Sequence, residues 1–295
     1  MRWGRDRAEP ARSALLVGPA VLLVAAILYG PTLYVGFQSF FDWRPNSPSP
    51  FVGLDNYLTV LGSDSFQTVM WNQFVLILGL PLWVIVPLMI TFLLHKDVKA
   101  PGLWRTIYFV PAVLSPALVG ILFRALLGSD GVVNAGLRKI GLDWLALGWL
   151  TEPHLVKPVI IVLILWAQVG VGVVIFSAAL SAVPEELFEA AELDGAGWWT
   201  RLTRIAVPSI KDAIWLWVGF QVIAIFLFMF GWVYVLTGGG PGLASTTIDF
   251  LVYQEVFRFG FFPTAAAMSM LMVLVLLALF GVPAALVRRR MRGTS

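Results

Sequence analysis

Long apolar runs separated by short polar stretches dominate the chain. A helix that crosses a bilayer needs roughly 20 mostly apolar residues. Six stretches meet that length, at about 14–40, 69–94, 104–127, 156–181, 213–236 and 264–287, and none has Asp or Glu in its interior. The pattern predicts an all-α membrane protein of six transmembrane helices, a single membrane domain over 1–295 with a core at about 66–290. Prolines punctuate the runs: Pro81 and Pro87 in the second, Pro111 and Pro116, near Ser115, in the third. A proline removes a helix hydrogen bond and kinks the chain, so interruptions are expected there.

The longest charged segment, Pro184 to Pro208, lies between the fourth and fifth runs and reads PEELFEAAELDGAGWWTRLTRIAVP. Pro184 suits the first position of a helix, and Glu185 and Glu186 then fall in the first turn, where the helix dipole favours carboxylates. Glu185, Glu189 and Glu192 share one face, with Leu187, Ala190 and Ala191 on the other. Gly195 is placed to end this helix. A second short helix fits Trp198 to Ala206, with Trp198, Leu202, Ile205 and Ala206 as its apolar face, Arg201 and Arg204 as its basic one, and Pro208 as its stop. The expectation is two short helices at an angle on a membrane surface.

Composition sharpens this picture. The chain is 59% hydrophobic and 13% charged, whereas a soluble domain carries about 25% charged residues. A net charge of +3 is compatible with a nucleic-acid partner, but the basic residues sit beside the apolar runs, which argues against that partner and for the lipid bilayer. Arg44, Arg124, Arg138, Lys139, Lys157 and Arg258 would lie on one side, and the remaining 14 of the 20 Lys and Arg residues on the other, with both termini and Pro184–Pro208. Since basic residues accumulate on the cytoplasmic side, the expected location is the plasma membrane, with both termini cytoplasmic. Arg2, Arg5, Arg7 and Arg12 precede an apolar run too long for a signal peptide, so it is read as a retained first span.

Chemistry is sparse. With no cysteine there is neither disulfide nor thiolate metal site. His95 and His154 flank different spans, and Asp130 and Asp143 lie in one outer loop. There is no G-x-x-x-x-G-K-[ST] phosphate loop, no H-E-x-x-H and no G-x-S-x-G, so neither ATP hydrolysis nor any other catalysis is assigned to the chain, and no cofactor or metal. An ion-coupled secondary transporter keeps ionisable groups inside the membrane. Here Arg105, Arg124 and Lys157 sit at span ends, where their long side chains can snorkel. An intramembrane enzyme would need buried nucleophiles or ligands that do not stand out.

The Pro184–Pro208 segment resembles the EAA loop of ABC importer permeases. Glu189, Ala190 and Ala191, then Asp194, Gly195 and Ala196, then Ile205 and Pro208 stand in that pattern, with Leu202 where the family often has Phe. Two outer segments also resemble the carbohydrate-type members. These are FVGLDNY (Phe51–Tyr57) and GSDGVVNAGL, which carries Gly131 and Asn134 and is followed by Trp144 and Trp149 as expected interfacial anchors. LTGGGP (Leu236–Pro241) resembles the MalF-like and glycerol-phosphate-type subunits.

The resemblance implies the type I ABC importer permease fold, in which residues 184–208 form a cytoplasmic coupling helix that docks on an ATPase subunit. It also implies partners: two ATPase subunits that hold ATP and Mg, a second permease, expected to be a different chain, and an extracytoplasmic solute-binding protein. The cargo it implies is a sugar, with a glycerophosphodiester or polyol as the alternative, moved by alternating access. In maltose-type relatives the turns before LTGGGP face the solute cavity and carry amides. Here the matching positions are Phe228, Met229, Trp232 and Tyr234, and Gln168 and Gln221 are the polar candidates in the apolar runs.

Overall fold

A computed structural model describes residues 9–44, 48–94 and 101–292. The orientation residues Arg2, Arg5, Arg7, Lys96 and Lys99, together with His95, lie outside the described residues. Most of the described chain is helical. In chain order the helices are α1 (Glu9–Val24), α2 (Gly30–Gln38), α3 (Asp55–Leu61), α4 (Asp64–Ile77), α5 (Leu80–Leu93), α6 (Pro101–Val113), α7 (Pro116–Leu127) and α8 (Val132–Lys139). They continue with α9 (Pro153–Leu180), α10 (Glu186–Leu193), α11 (Trp198–Arg201), α12 (Val207–Ser209), α13 (Lys211–Leu227), α14 (Phe230–Leu236), α15 (Ile248–Gln254) and α16 (Phe262–Arg292). The only strand-like pairing among the described residues is an isolated bridge, Phe41 to Phe51. Among the described residues, five helices are long and apolar enough to cross a membrane, or six if the pair Trp198–Ser209 and Lys211–Leu227, bent by 76°, counts as one span.

The chain falls into two compact units, Met1–Ser63 with Val252–Ser295, and Asp64–Leu251. In the first unit, α16 packs on α2 and α3. A Cβ on Gly36 of α2 would stand 3.2 Å from the Met270 sulfur, so the glycine permits the close approach. Pro31 cannot donate to the Ile27 carbonyl. The first span accommodates it by widening to a π turn at Ala25–Tyr29, where the Gly30 N–H reaches the Ala25 carbonyl. The FVGLDNY segment closes the end of that span. Asn56 donates to the Ser39 and Phe41 carbonyls at 2.9 and 3.1 Å, and the Ser39 and Tyr57 hydroxyls are 2.6 Å apart.

The second unit is built around α9, which packs on α4, α5, α6 and α13. Small residues set these approaches. A Cβ at Gly170 would run into the Tyr108 carbonyl of α6, and one at Gly172 would lie 2.9 Å from the Pro87 Cβ of α5. Pro87 therefore packs inside an unbroken α5, and the second span is interrupted at Leu78–Gly79 instead. The third span breaks at Leu114–Ser115, as its prolines predict. The fifth, read from sequence as continuous over 213–236, is broken between Leu227 and Phe230.

Buried indoles donate to backbone across these helices: Trp83 Nε1 to the Ile161 carbonyl (2.9 Å) and Trp217 Nε1 to the Trp83 carbonyl (2.8 Å). Lys157 does not snorkel. Its Nζ donates to Asn72 Oδ1 and the Ala244 carbonyl, both at 3.1 Å, while Asn72 Nδ2 donates to the Leu243 and Thr246 carbonyls. Trp149 is likewise no free anchor, since its Nε1 donates to Asn134 Oδ1 at 2.8 Å. Trp144 is exposed, as an interfacial anchor would be.

Candidate functional site

The Pro184–Pro208 segment forms a tight helix–turn–helix. Its first helix, α10, starts two positions later than the proline suggests, with Glu185 as its N-cap and Glu186 and Glu189 in the first turn. At its end the Ala196 N–H reaches the Ala191 carbonyl (2.8 Å) and the Gly195 N–H reaches the Glu192 carbonyl (3.0 Å). Gly195 sits at φ +78°. These are the two bonds of a Schellman motif, with glycine at the left-handed position. The spacing Ala-Ala, Asp-Gly-Ala thus has a physical reading: Ala191 and Ala196 are the ends of that motif, Asp194 is its cap residue and Gly195 its turn.

The second arm begins at Gly197 and runs from Trp198 to Ser209. Pro208 does not stop it. Proline cannot donate to the Arg204 carbonyl, and the helix widens to a π turn at Leu202–Ala206 instead, with the Val207 N–H on the Leu202 carbonyl. The turn ends one residue after Ser209, where Ile210 leaves the helix and α13 departs. Arg201 Nη1 donates to Glu192 Oε2 at 2.7 Å and ties the two arms together.

Phe188, not Leu187 or Ala190, is the inward residue of α10. It is 1% exposed and packs in one cluster with Leu88, Phe92, Phe176, Leu180, Leu202, Ala206, Ile210 and Trp217. The outward face carries Leu187, Glu189, Ala190, Asp194 and Gly195, with Leu193 at 90% exposure. Ala191, Ala196 and Ile205 are half-buried and Pro208 is exposed. Pairing Leu187 and Ala190 with Ala191 as an apolar face overlooked Phe188. The i, i+3 pair Phe188 and Ala191 was the available signal.

At the break in the fifth span, Gln168, Gln221, Phe228, Met229 and Trp232 converge with Trp83 and Ile164 on a small cavity of about 10 Å³. Gln221 Oε1 is buried there without a hydrogen-bond partner. Tyr234 is not part of this group; it stacks on Phe230, ring centroids 5.4 Å apart. LTGGGP folds into a compact turn, with Gly238 and Gly239 at positive φ. The Thr237 and Ser245 hydroxyls lie 2.7 Å apart, Ser245 Oγ donates to the Gly240 carbonyl and Thr246 Oγ1 to the Gly239 carbonyl.

Asp249 of α15, which no sequence motif marks, accepts from the Phe230 N–H at 2.6 Å and the Thr247 hydroxyl at 2.6 Å. It lies outside the candidate spans. Burial pushes its carboxyl above the ordinary value, opposed by hydrogen bonds from Thr247, Phe230, Phe250 and Met229. No cluster of three or more His, Asp or Glu that could hold a metal occurs among the described residues.

Residues 59–293 match the family described as the binding-protein-dependent transport system inner membrane component. The chain belongs to this family. It is a permease subunit of an ABC importer. It is similar to a probable ABC transporter permease protein of Pyrococcus horikoshii, 32% identical over 89% of this chain and 91% of that one. It is also similar to the lactose transport system permease protein of Rhizobium radiobacter, 30% identical over 90% of each. The permease superimposes on a chain of a bacterial ABC transporter involved in importing the acidic polysaccharide alginate, with a TM-score of 0.82, 25% identity and 96% coverage of both chains. The fold is therefore that of an ABC importer permease, and the EAA segment is the family's own motif in that fold.

Proposed function

We propose that the permease carries a sugar or sugar-like solute through the membrane by alternating access, driven by ATP that separate subunits hydrolyse. The displayed EAA turn carries this reading. Its inner face is fixed by Phe188, Leu202 and Ala206 to helices α5, α9 and α13, while Glu189, Ala190, Asp194 and Gly195 are left outward. A push on the outward face reaches the spans through that packed cluster. Two ATPase subunits holding ATP and Mg, a second and different permease, and a solute-binding protein complete the machine. Both termini and the EAA turn lie in the cytoplasm, and Asn134 and Gly239 outside. The kinship with a lactose permease and an alginate importer supports the sugar assignment.

Gln168, Gln221, Met229 and Trp232 are the groups offered to the solute. Amides bind hydroxyls, and an indole face stacks against the C–H face of a sugar ring; Tyr234 stands apart from them. The test is uptake of labelled lactose by proteoliposomes containing the complete importer. ATP-dependent uptake is expected, with weaker apparent affinity in Gln168→Ala, Met229→Ala or Trp232→Ala. Uptake of glycerol 3-phosphate in place of lactose would reassign the cargo, and uptake driven by an ion gradient without ATP would overturn the reading.

A further inference from the structure

The breaks in the third and fifth spans meet. α6 ends at Val113, and Ser115 caps α7, its Oγ accepting from the Leu118 N–H at 3.3 Å. α13 ends at Leu227 and α14 begins at Phe230. Pro116 opens α7, and a Cβ on Gly231, in the first turn of α14, would lie 3.2 Å from its Cβ. One helical turn on, a Cβ on Gly120 would lie 3.0 Å from the Val235 Cβ. α7 and α14 thus lie against each other from their first turns onward.

The fifth-span break is built by side chains from elsewhere. Residues 224–230 read AIFLFMF, with neither proline nor glycine to break a helix. The Ile225 carbonyl, which a continuous helix would pair with the Met229 N–H, accepts from Gln73 Nε2 of α4 at 2.6 Å. The Met229 and Phe230 N–H groups turn to the Asp249 carboxylate, whose other oxygen is held by Thr247. Charge-assisted bonds of this kind are among the stronger ones in proteins.

Below the break, α13 belongs with α5, α9 and the EAA turn through the cluster around Trp217 and Phe176. Above it, α14 belongs with α7. The cavity at the joint, about 10 Å³, is far smaller than the roughly 300–1,000 Å³ typical of ligand pockets.

We propose that α7 and α14 move as one body, hinged at Leu114–Ser115 and Phe228–Met229, and that Gln73 and Asp249 are positioning residues that hold the fifth-span hinge open. Swinging the pair away from α9 enlarges the cavity where Gln168, Gln221 and Trp232 converge. This rests on the reading of that cavity as part of the solute path. A hinge needs a few residues that absorb the backbone change while the flanking elements stay rigid. Phe228, at φ −127° and ψ 18°, already stands outside the helix.

The absence of native cysteine makes cross-linking direct. In the complete importer, ATP hydrolysis stimulated by the binding protein is compared before and after each cross-link, then after reduction. A Gly120→Cys/Val235→Cys disulfide, which joins the moving pair to itself, should leave activity within about twofold of its reduced form. A short bis-thiosulfonate bridge between Ile164→Cys and Trp232→Cys, which ties α14 to α9 across the cavity, should lower it about tenfold or more, reversibly; such an effect corresponds to blocking one state of a two-state element. The opposite result for either pair overturns the hinge. Each ratio comes from one preparation, so reduced accumulation does not obscure it.

Asp249→Asn is the second variant, since its single amide oxygen cannot accept from the Phe230 N–H on one side and from the Phe250 N–H and Thr247 hydroxyl on the other, as the two carboxylate oxygens do. It should lower the ratio of stimulated to basal hydrolysis about fivefold, a split that simple loss of folded protein does not produce. An unchanged ratio removes Asp249 from the hinge. Failure of the unmodified importer to respond to its binding protein is a separate result, which contradicts the proposed function itself.

Discussion

Two residues of the EAA turn separate what folds the segment from what it presents. Phe188 is buried in the cluster that ties the turn to three spans. Removing a buried phenyl ring costs about 3–5 kcal/mol, so Phe188→Ala should lower the thermal unfolding midpoint of the detergent-solubilised permease markedly, and Phe188→Leu much less. Equal midpoints would show that the cluster does not anchor the turn. Gly195 is the converse. A Cβ there meets nothing within 4 Å, so any cost of substitution comes from its φ of +78°. An L residue in the left-handed region costs about 1–2 kcal/mol, and Asn tolerates it better. Gly195→Asn should therefore accumulate better than Gly195→Ala in membranes; the reverse order would show that the turn relaxes.

Among the elements, glycines divide into those that permit contact and those that do not. Gly172→Ala should destabilise the permease, because the new Cβ would meet Pro87 at 2.9 Å and Trp217 at 3.3 Å. Gly136→Ala in α8 should stabilise it by roughly 1 kcal/mol, since open space surrounds that position and alanine is the better helix former. Thermal unfolding of the two variants checks the pair, and a loss in both would contradict the packing account. The same elements show what the sequence could reveal. The apolar runs mark the spans, Pro116 marks the third-span break, and the spacing of Ala191, Gly195 and Ala196 marks the turn. The fifth-span break was hidden, because its causes are Gln73 and Asp249, distant in sequence from Ile225 and Phe230. Lys157 was misread for a similar reason: its partner carbonyl, Ala244, lies in a loop with no periodicity to place it. Pro87 and Pro208 were over-read as breakers, one packed within a helix and the other absorbed by a π turn.

For the whole molecule, orientation and coupling are the claims to test. With no native cysteine, Leu193→Cys and Val132→Cys report the two sides, since both positions are exposed. An impermeant thiol reagent applied to intact cells should label Val132→Cys and spare Leu193→Cys; the reverse pattern would invert the proposed topology. The central claim is that the EAA turn transmits work from the ATPase subunits. Glu189 and Gly195 are outward and outside the anchoring cluster, so Glu189→Lys reverses a displayed charge and Gly195→Asp adds both strain and a carboxylate at the displayed turn. The most direct measurement is binding-protein-stimulated ATP hydrolysis by the complete importer carrying either substitution, with the permease quantified in the membrane. The account predicts that hydrolysis falls to the unstimulated level while the subunit still inserts. Normal stimulation in both variants would contradict it.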